Sequence, residues 1–356
     1  MRKILFLSVS IFAVLVLAGA GCIQLGGSSK QAAVDGGIFK SIDRGETWAQ
    51  KSQIYAVGGE RKNFAMAAID NLVIDPSDRN TIYAIGPGTG LLYSLNAGDA
   101  WFTPEQLKAG TVANISVDAK NKCVVYAALG NLILKTEDCN RTFKAIYQEG
   151  RPAIVITFAT VDPNNSSIVF AGNSLGDFLK STDSGKSWTV AKRFENRIAK
   201  IIINPLDTKK IYLATKEKGI YRSADSGLTW TDLNQGLKQY GGAYEFHDLV
   251  LFDAKAEALM LASQYGLIKT SDIGVTWNTL TLLTPPNGAD IRVIGVRPDN
   301  TKEIYYATPT TFYKSVDGGE NWLTKKLPSA RPPAFLLIDK EDTKTIYMGF
   351  GQQVKK

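Results

Sequence analysis

One octet recurs along almost the whole chain at a near-constant interval, and that interval limits the folds open to it. It reads SIDRGETW from Ser41, STDSGKSW from Ser181, SADSGLTW from Ser223 and SVDGGENW from Ser315. TSDIGVTW from Thr270 differs little. SLNAGDAW from Ser94 has Asn96 for the Asp, and TEDCNRTF from Thr136 has Asn140 for the Gly and Phe143 for the Trp. The third positions are residues 43, 96, 138, 183, 225, 272 and 317, spaced by 53, 42, 45, 42, 47 and 45 residues. A period of this size, with one small unit per repeat, matches the four-stranded blade of a β-propeller.

The stretches between octets repeat as well. NLVIDPSDRNTIYAIG, ITFATVDPNNSSIVFAG, AKIIINPLDTKKIYLAT and IRVIGVRPDNTKEIYYAT each give an apolar run, a Pro or Asp turn, and a second apolar run. GLLYS, DFLKS, GIYRS or TFYKS then leads directly into the octet. Short apolar runs at even spacing, divided by turn residues, indicate strands a, b and c, with strand d after the octet. The octet itself is a c–d turn. Its Ser or Thr and Asp bond nearby backbone N–H groups, its Gly supplies a positive φ, and its Trp covers the hairpin. The first octet has no a and b runs before it, and the C-terminal AFLLIDKEDTKTIYMGF has a and b but no octet. Together they make one blade. The expected fold is therefore an all-β, seven-bladed propeller of four-stranded blades over residues 36–356, its last blade closed by both termini.

The octet resembles the Asp-box, or bacterial neuraminidase repeat, S-x-D-x-G-x-T-W. Its signature residues here are Asp43, Asn96, Asp138, Asp183, Asp225, Asp272 and Asp317, with Trp48, Trp101, Phe143, Trp188, Trp230, Trp277 and Trp322. That resemblance implies a structural role for the box. The blades are similar to those of photosystem II stability/assembly factors, which are seven-bladed binding platforms. Sortilin-type receptors share the boxes but have ten blades. The a–b turns depart from the photosynthetic group, so the resemblance implies a scaffold rather than photosynthesis.

The N-terminus is of another kind. Arg2 and Lys3 precede the apolar ILFLSVSIFAVLVLAGA, and GAGC ends at Cys22. This reads as a signal peptide over residues 1–21. It resembles a bacterial lipoprotein box, with Gly19 where Leu is usual. That resemblance implies a lipid on Cys22, a flexible tether over residues 22–35 and an extracytoplasmic, membrane-anchored protein; the alternative is an ordinary signal peptide. Removal of the leader lowers the formal charge from +7 to +5. A mild positive charge without a basic run favours an anionic ligand or acidic partner over nucleic acid.

Strand order puts the a–b turns and boxes on one face and the b–c and d–a loops on the other. The d–a loops are the longest segments, and function concentrates in loops on a rigid scaffold. Arg61, Arg151, Arg197, Arg292 and Arg331 stand in them just before strand a. Convergence would give a guanidinium rim for carboxylate or phosphate; the alternative is five separate surface arginines. Sialidases need an Arg triad, a Tyr–Glu pair and an acid. Tyr240, Tyr244 and Glu245 lie close in sequence, but that family's Arg-Ile-Pro element is absent. An extracytoplasmic glycoside hydrolase, sialidase-like or, with two acidic residues across a groove, xyloglucanase-like, or a glycan-binding propeller is the alternative function. His247, the only histidine, is expected to be a hydrogen-bonded residue beside a strand start. No metal or cofactor motif is present. Cys123 and Cys139 fall at one end of the second blade, where they form a disulfide or remain buried thiols.

Overall fold

The computed structural model describes residues 35–55 and 61–352. The leader, Cys22 and the tether before Asp35 lie outside the described residues. Among the described residues seven antiparallel blades follow one another in chain order, six of them four-stranded as the repeat implies. Blade 2 runs Val112–Asp118, Asn121–Leu129, Leu132–Thr136 and Lys144–Gln148. Blade 3 runs Ile156–Asp162, Asn165–Asn173, Asp177–Ser181 and Thr189–Arg193. Blades 4, 5 and 6 begin with Ile198–Ile203, Phe246–Asp253 and Val293–Val296. Blade 7 joins Pro333–Ile338 and Ile346–Phe350 to Ile38–Ser41 and Ala49–Gln50 in a single sheet. The termini thus close the ring as expected, which removes two exposed sheet edges. Among the described residues the helical elements are two 3-10 turns, Glu105–Leu107 and Gln235–Leu237, and no helix is long and apolar enough to cross a membrane.

Blade 1 differs. It has Asn71–Asp75, Asp78–Gly86 and Gly90–Ser94, but its fourth strand shrinks to residues 101–102, joined through the Tyr93–Phe102 bridge. A hairpin of Gln53–Tyr55 and Arg61–Asn63 attaches outside it through a parallel Ile54–Trp101 bridge.

The box builds each turn as the residue types require. In the third blade Ser181 Oγ donates to Asp183 Oδ1 at 2.7 Å and accepts Gly185 N at 2.8 Å. Asp183 accepts Ser187 N at 2.9 Å and Ser187 Oγ at 2.6 Å. Two successive left-handed residues close the turn, such as Ser226 (φ 58°) and Gly227 (φ 85°). A Cβ on Gly227 would stand 2.6 Å from Phe178 of the preceding blade, so the box glycine also sets how closely neighbouring blades approach.

Blade seams use a second repeated device. The lysine before the box serine reaches the next blade: Lys40 Nζ donates to Ala97 O at 2.9 Å, and Lys180 Nζ to Ser226 O at 2.8 Å. Each lysine lies over a ring of its own blade, Tyr347 and Phe170 respectively, which adds cation–π attraction. The core consists of clusters shared between adjacent blades, for example Tyr212 and Ile220 of blade 4 with Leu249 and Leu261 of blade 5.

In blade 2, Cys123 and Cys139 form a disulfide with Cα atoms 3.9 Å apart. It ties the start of strand b to the box.

Candidate functional site

The innermost strands of blades 1 to 5 and 7, with Arg292 just before that of blade 6, line a central channel of about 600 Å³. Its d–a mouth carries Asp70, His247, Asp248 and Arg292; Lys340 lines the channel beside the turn after strand a of blade 7. Strand-a side chains also bind adjacent blades. Asn114 Oδ1 accepts Ala159 N at 3.0 Å, and Thr157 Oγ1 donates to Ile198 O at 2.7 Å. Lys200 pairs with Asp248 at 2.6 Å across blades 4 and 5. His247 Nδ1 lies 2.7 Å from Ile291 O, a bonded residue at a strand start. Asp70 has no ionic partner among the described residues; the crowding channel walls raise its carboxyl above the ordinary value.

The arginines singled out in sequence do not gather on this rim. Arg292 lines the channel but is paired with Asp290 at 2.7 Å. Arg331 is buried: its Nε meets Asp35 at 3.1 Å and its Nη1 donates to Met66 O at 2.8 Å, so it ties Asp35 to the loop before blade 1. Arg197 is exposed beside the start of blade 4. Arg61 lies in the added hairpin, and its side chain is outside those described. A local carboxylate and a carbonyl claim the guanidinium groups of Arg292 and Arg331 before the channel can.

Arg151 belongs to a built network at the b–c end of blade 3. Its Nε and Nη2 donate to both oxygens of Glu149 at 2.8 and 2.7 Å, and Nη2 also reaches Asp177 at 2.5 Å. Arg193 Nε donates to the other Asp177 oxygen at 3.1 Å, and Asn173 Nδ2 bonds both carboxylates. Glu149 and Asp177 are almost fully buried, whereas Arg151 and Arg193 are exposed. Hydrogen bonds from Arg151 hold the Glu149 carboxyl down at about 2. Burial opposes ionisation of Asp177, but the bonds from Arg151 and Asn173 prevail and its carboxyl lies below the ordinary value. Two guanidiniums are thereby fixed side by side on one buried carboxylate. Arg193 commits only Nε, and its terminal nitrogens face solvent.

Sequence reasoning found Arg151 but missed Arg193 and its acidic base. A signal was present: Asp177 opens strand c where Gly37, Gly90, Gly219 and Gly266 open it in four other blades. The Tyr–Glu arrangement considered for a sialidase is not assembled. Tyr240 OH donates to Trp277 O at 2.7 Å and Tyr244 OH to Asn234 O at 3.3 Å.

Comparison with known proteins adds the following. The Sortilin-Vps10 family model (sortilin, neurotensin receptor 3) matches residues 176–266. A xyloglucanase of Hypocrea jecorina is 24% identical over 276 residues, covering 69% of this chain and 29% of that protein. The GH74 xyloglucanase of Xanthomonas campestris superposes with a TM-score of 0.66 at 16% identity, over 80% of this chain and 51% of the other. YCF48 bound to D1 peptide superposes with a TM-score of 0.61 at 14% identity, over 80% of this chain and 94% of the other. The chain thus spans less than a third of the curated xyloglucanase it matches, about half of the solved one, and nearly all of YCF48. At these identities the likeness carries the propeller fold, which xyloglucanases and YCF48 share with this chain.

Proposed function

We propose that this chain is a non-catalytic binding platform, held outside the cytoplasm by a lipid on Cys22, that takes an acidic segment of a protein partner on its channel-mouth face. The observation that carries this reading is the guanidinium pair of Arg151 and Arg193, fixed by buried carboxylates and open to solvent. Such pre-organisation lowers the entropic cost of clamping a carboxylate. YCF48, which this chain covers almost end to end, is a single propeller solved with a bound peptide. Glycoside hydrolysis needs two carboxyl groups flanking the bond. Of the channel-lining carboxylates, Asp248 is neutralised by Lys200, which leaves Asp70 alone.

Fluorescence anisotropy with labelled hexaglutamate tests the platform reading. Binding should weaken as salt rises, and Arg193→Ala should weaken it about tenfold, or about 1.4 kcal/mol. Arg193 is the better probe because Arg151→Ala would leave Glu149 unpaired. Unchanged binding in R193A removes the site; release of reducing sugar from xyloglucan by the wild-type chain removes the non-catalytic reading. Labelled palmitate should enter the wild type and not Cys22→Ser.

A second reading, glycan binding, has its own support. The curated relatives are xyloglucanases, and blade 1 exposes aromatic rings outside the core.

A further inference from the structure

Blade 1 breaks the repeat at two positions that meet in space. Just before the box serine it has Tyr93, where the other six blades have Lys40, Lys135, Lys180, Arg222, Lys269 and Lys314. Just after the box aromatic it has Phe102, where the others have Ala49, Lys144, Thr189, Thr231, Asn278 and Leu323. Tyr93 and Phe102 exchange backbone hydrogen bonds of 2.9 and 2.8 Å, and their ring centres lie 5.5 Å apart. Tyr83 continues this row inward at 6.5 Å from Tyr93, and Tyr55 of the added hairpin continues it outward at 6.5 Å from Phe102. Four rings therefore cross four neighbouring strands, with successive planes tilted by 32°, 31° and 33°. Exposure rises outward from 2% at Tyr83 to 57% at Tyr55.

The fold does not need this row. Tyr83 and Tyr93 pack into the blade 1–blade 2 cluster, whereas Phe102 and Tyr55 join no core cluster. Tyr55 is exposed and Tyr93 and Phe102 are half-buried, and aromatic surface left open to water in this way marks an interaction surface.

We propose that Tyr93, Phe102 and Tyr55 form a stacking platform for a neutral sugar chain. This rests on the glycan reading above and is separate from the guanidinium site. The row carries no charge, so an ionic ligand gains nothing there. Aromatic faces are electron-rich and attract the polarised C–H groups on the flat faces of pyranose rings through weak hydrogen bonds. The hydroxyls of Tyr93 and Tyr55 give the row a polar tip for sugar hydroxyls. Several rings in succession favour an extended chain over a single sugar.

Calorimetry on the full chain in detergent, with cellohexaose and a xyloglucan heptasaccharide, tests this. Binding of at least one should be independent of salt. Phe102→Ala and Tyr55→Ala should each weaken it at least tenfold, Tyr55→Phe by less, and Arg193→Ala not at all. Melting temperature should be unchanged in Y55A and Y55F, because Tyr55 is exposed and lies outside the core. Sugar binding that survives F102A and Y55A overturns the platform and leaves the glycan reading standing. Absence of binding to either sugar overturns both. Capture of an apolar peptide by the row, lost in F102A while sugars fail to bind, assigns the surface to protein instead.

Discussion

The seam between blades 3 and 4 and the seam between blades 1 and 2 solve one packing problem with different residues. At the first, Lys180 spans the gap to Ser226 O, Gly227 lets Phe178 approach, and Trp230 packs edge-on against Phe178 and Phe194 at 5.0 and 5.1 Å. At the second, Tyr93 replaces the lysine, Asn140 the glycine and Phe143 the tryptophan. Asn140 adopts the same left-handed φ, at 68°, and donates from Nδ2 to Tyr83 OH across the seam at 3.2 Å, while its Oδ1 is buried without a partner. The Cys123–Cys139 disulfide sits in that same box. The regular seam is held by close approach. The irregular one is held by a side-chain bond, and the box that supplies it is tied to its own blade by the disulfide.

The largest expected effect therefore falls on the regular seam. Gly227→Ala places a Cβ 2.6 Å from the Phe178 ring at a φ of 85°. Overpacking costs about 1–3 kcal/mol and a left-handed alanine about 1–2 kcal/mol more, so denaturant unfolding should show a loss of about 2–5 kcal/mol. The matching change at the irregular seam, Asn140→Gly, loses a bond worth about 1 kcal/mol but also removes the unpaired Oδ1 and eases the left-handed strain. It should stay within about 1 kcal/mol of the wild type. Equal losses at the two positions would show that close approach does not distinguish the seams.

The disulfide comes next. Its two cysteines lie 16 residues apart, and cross-linking a loop of this size stabilises by roughly 3 kcal/mol in the chain-entropy model. The pair C123A/C139A should lose about that much, and reductant should lower the melting temperature of the wild type but not of the pair. Titration of the denatured, unreduced protein should find no free thiol at these positions; two thiols there would leave the blade 2 box without its tie.

These contrasts also mark what was legible beforehand. The octet and its spacing carried the blades and the box turn, because each involves residues within one repeat, and the half-repeats at the two ends carried the shared last blade. The lysine before the box serine stood in FKS, LKT, FLKS and YKS, but its partner lies in another repeat: Lys135 and Ser184 are 49 positions apart. The same holds for Arg331, whose carboxylate partner Asp35 is 296 positions away. Arg151, Arg292 and Arg331 each meet a carboxylate in the fold, whereas Arg197 stays exposed, so similar positions in sequence became separate environments. The left-handed residue before the box glycine escaped notice because Arg44, Ala97, Cys139, Ser184, Ser226 and Ile273 share no side-chain type. It is the turn, not the residue, that imposes the angle.

The smallest expected effect concerns acid, in the boxes of blades 2 and 3. Side-chain and backbone hydrogen bonds from Thr142 hold Asp138 down at about 2, and those from Ser187 do the same for Asp183. Both folded values lie below the ordinary carboxylate value of roughly 3.9. Their contribution is thus fully present above about pH 4 and is lost as pH falls towards 2. Asp138→Asn and Asp183→Asn should flatten the acid limb of the melting curve equally, because the box bonds are alike although the seams are not. Blade 1 supplies the internal control. Asn96 already accepts Ala100 N at 2.8 Å and Ser94 Oγ at 2.9 Å without titrating, and Ala100 lacks the hydroxyl found at Thr142 or Ser187. Asn96→Asp should therefore leave stability at pH 7 nearly unchanged and add a shallower acid slope than either native aspartate gives. A slope as steep as theirs would mean that the backbone N–H groups alone set the acidity of the box.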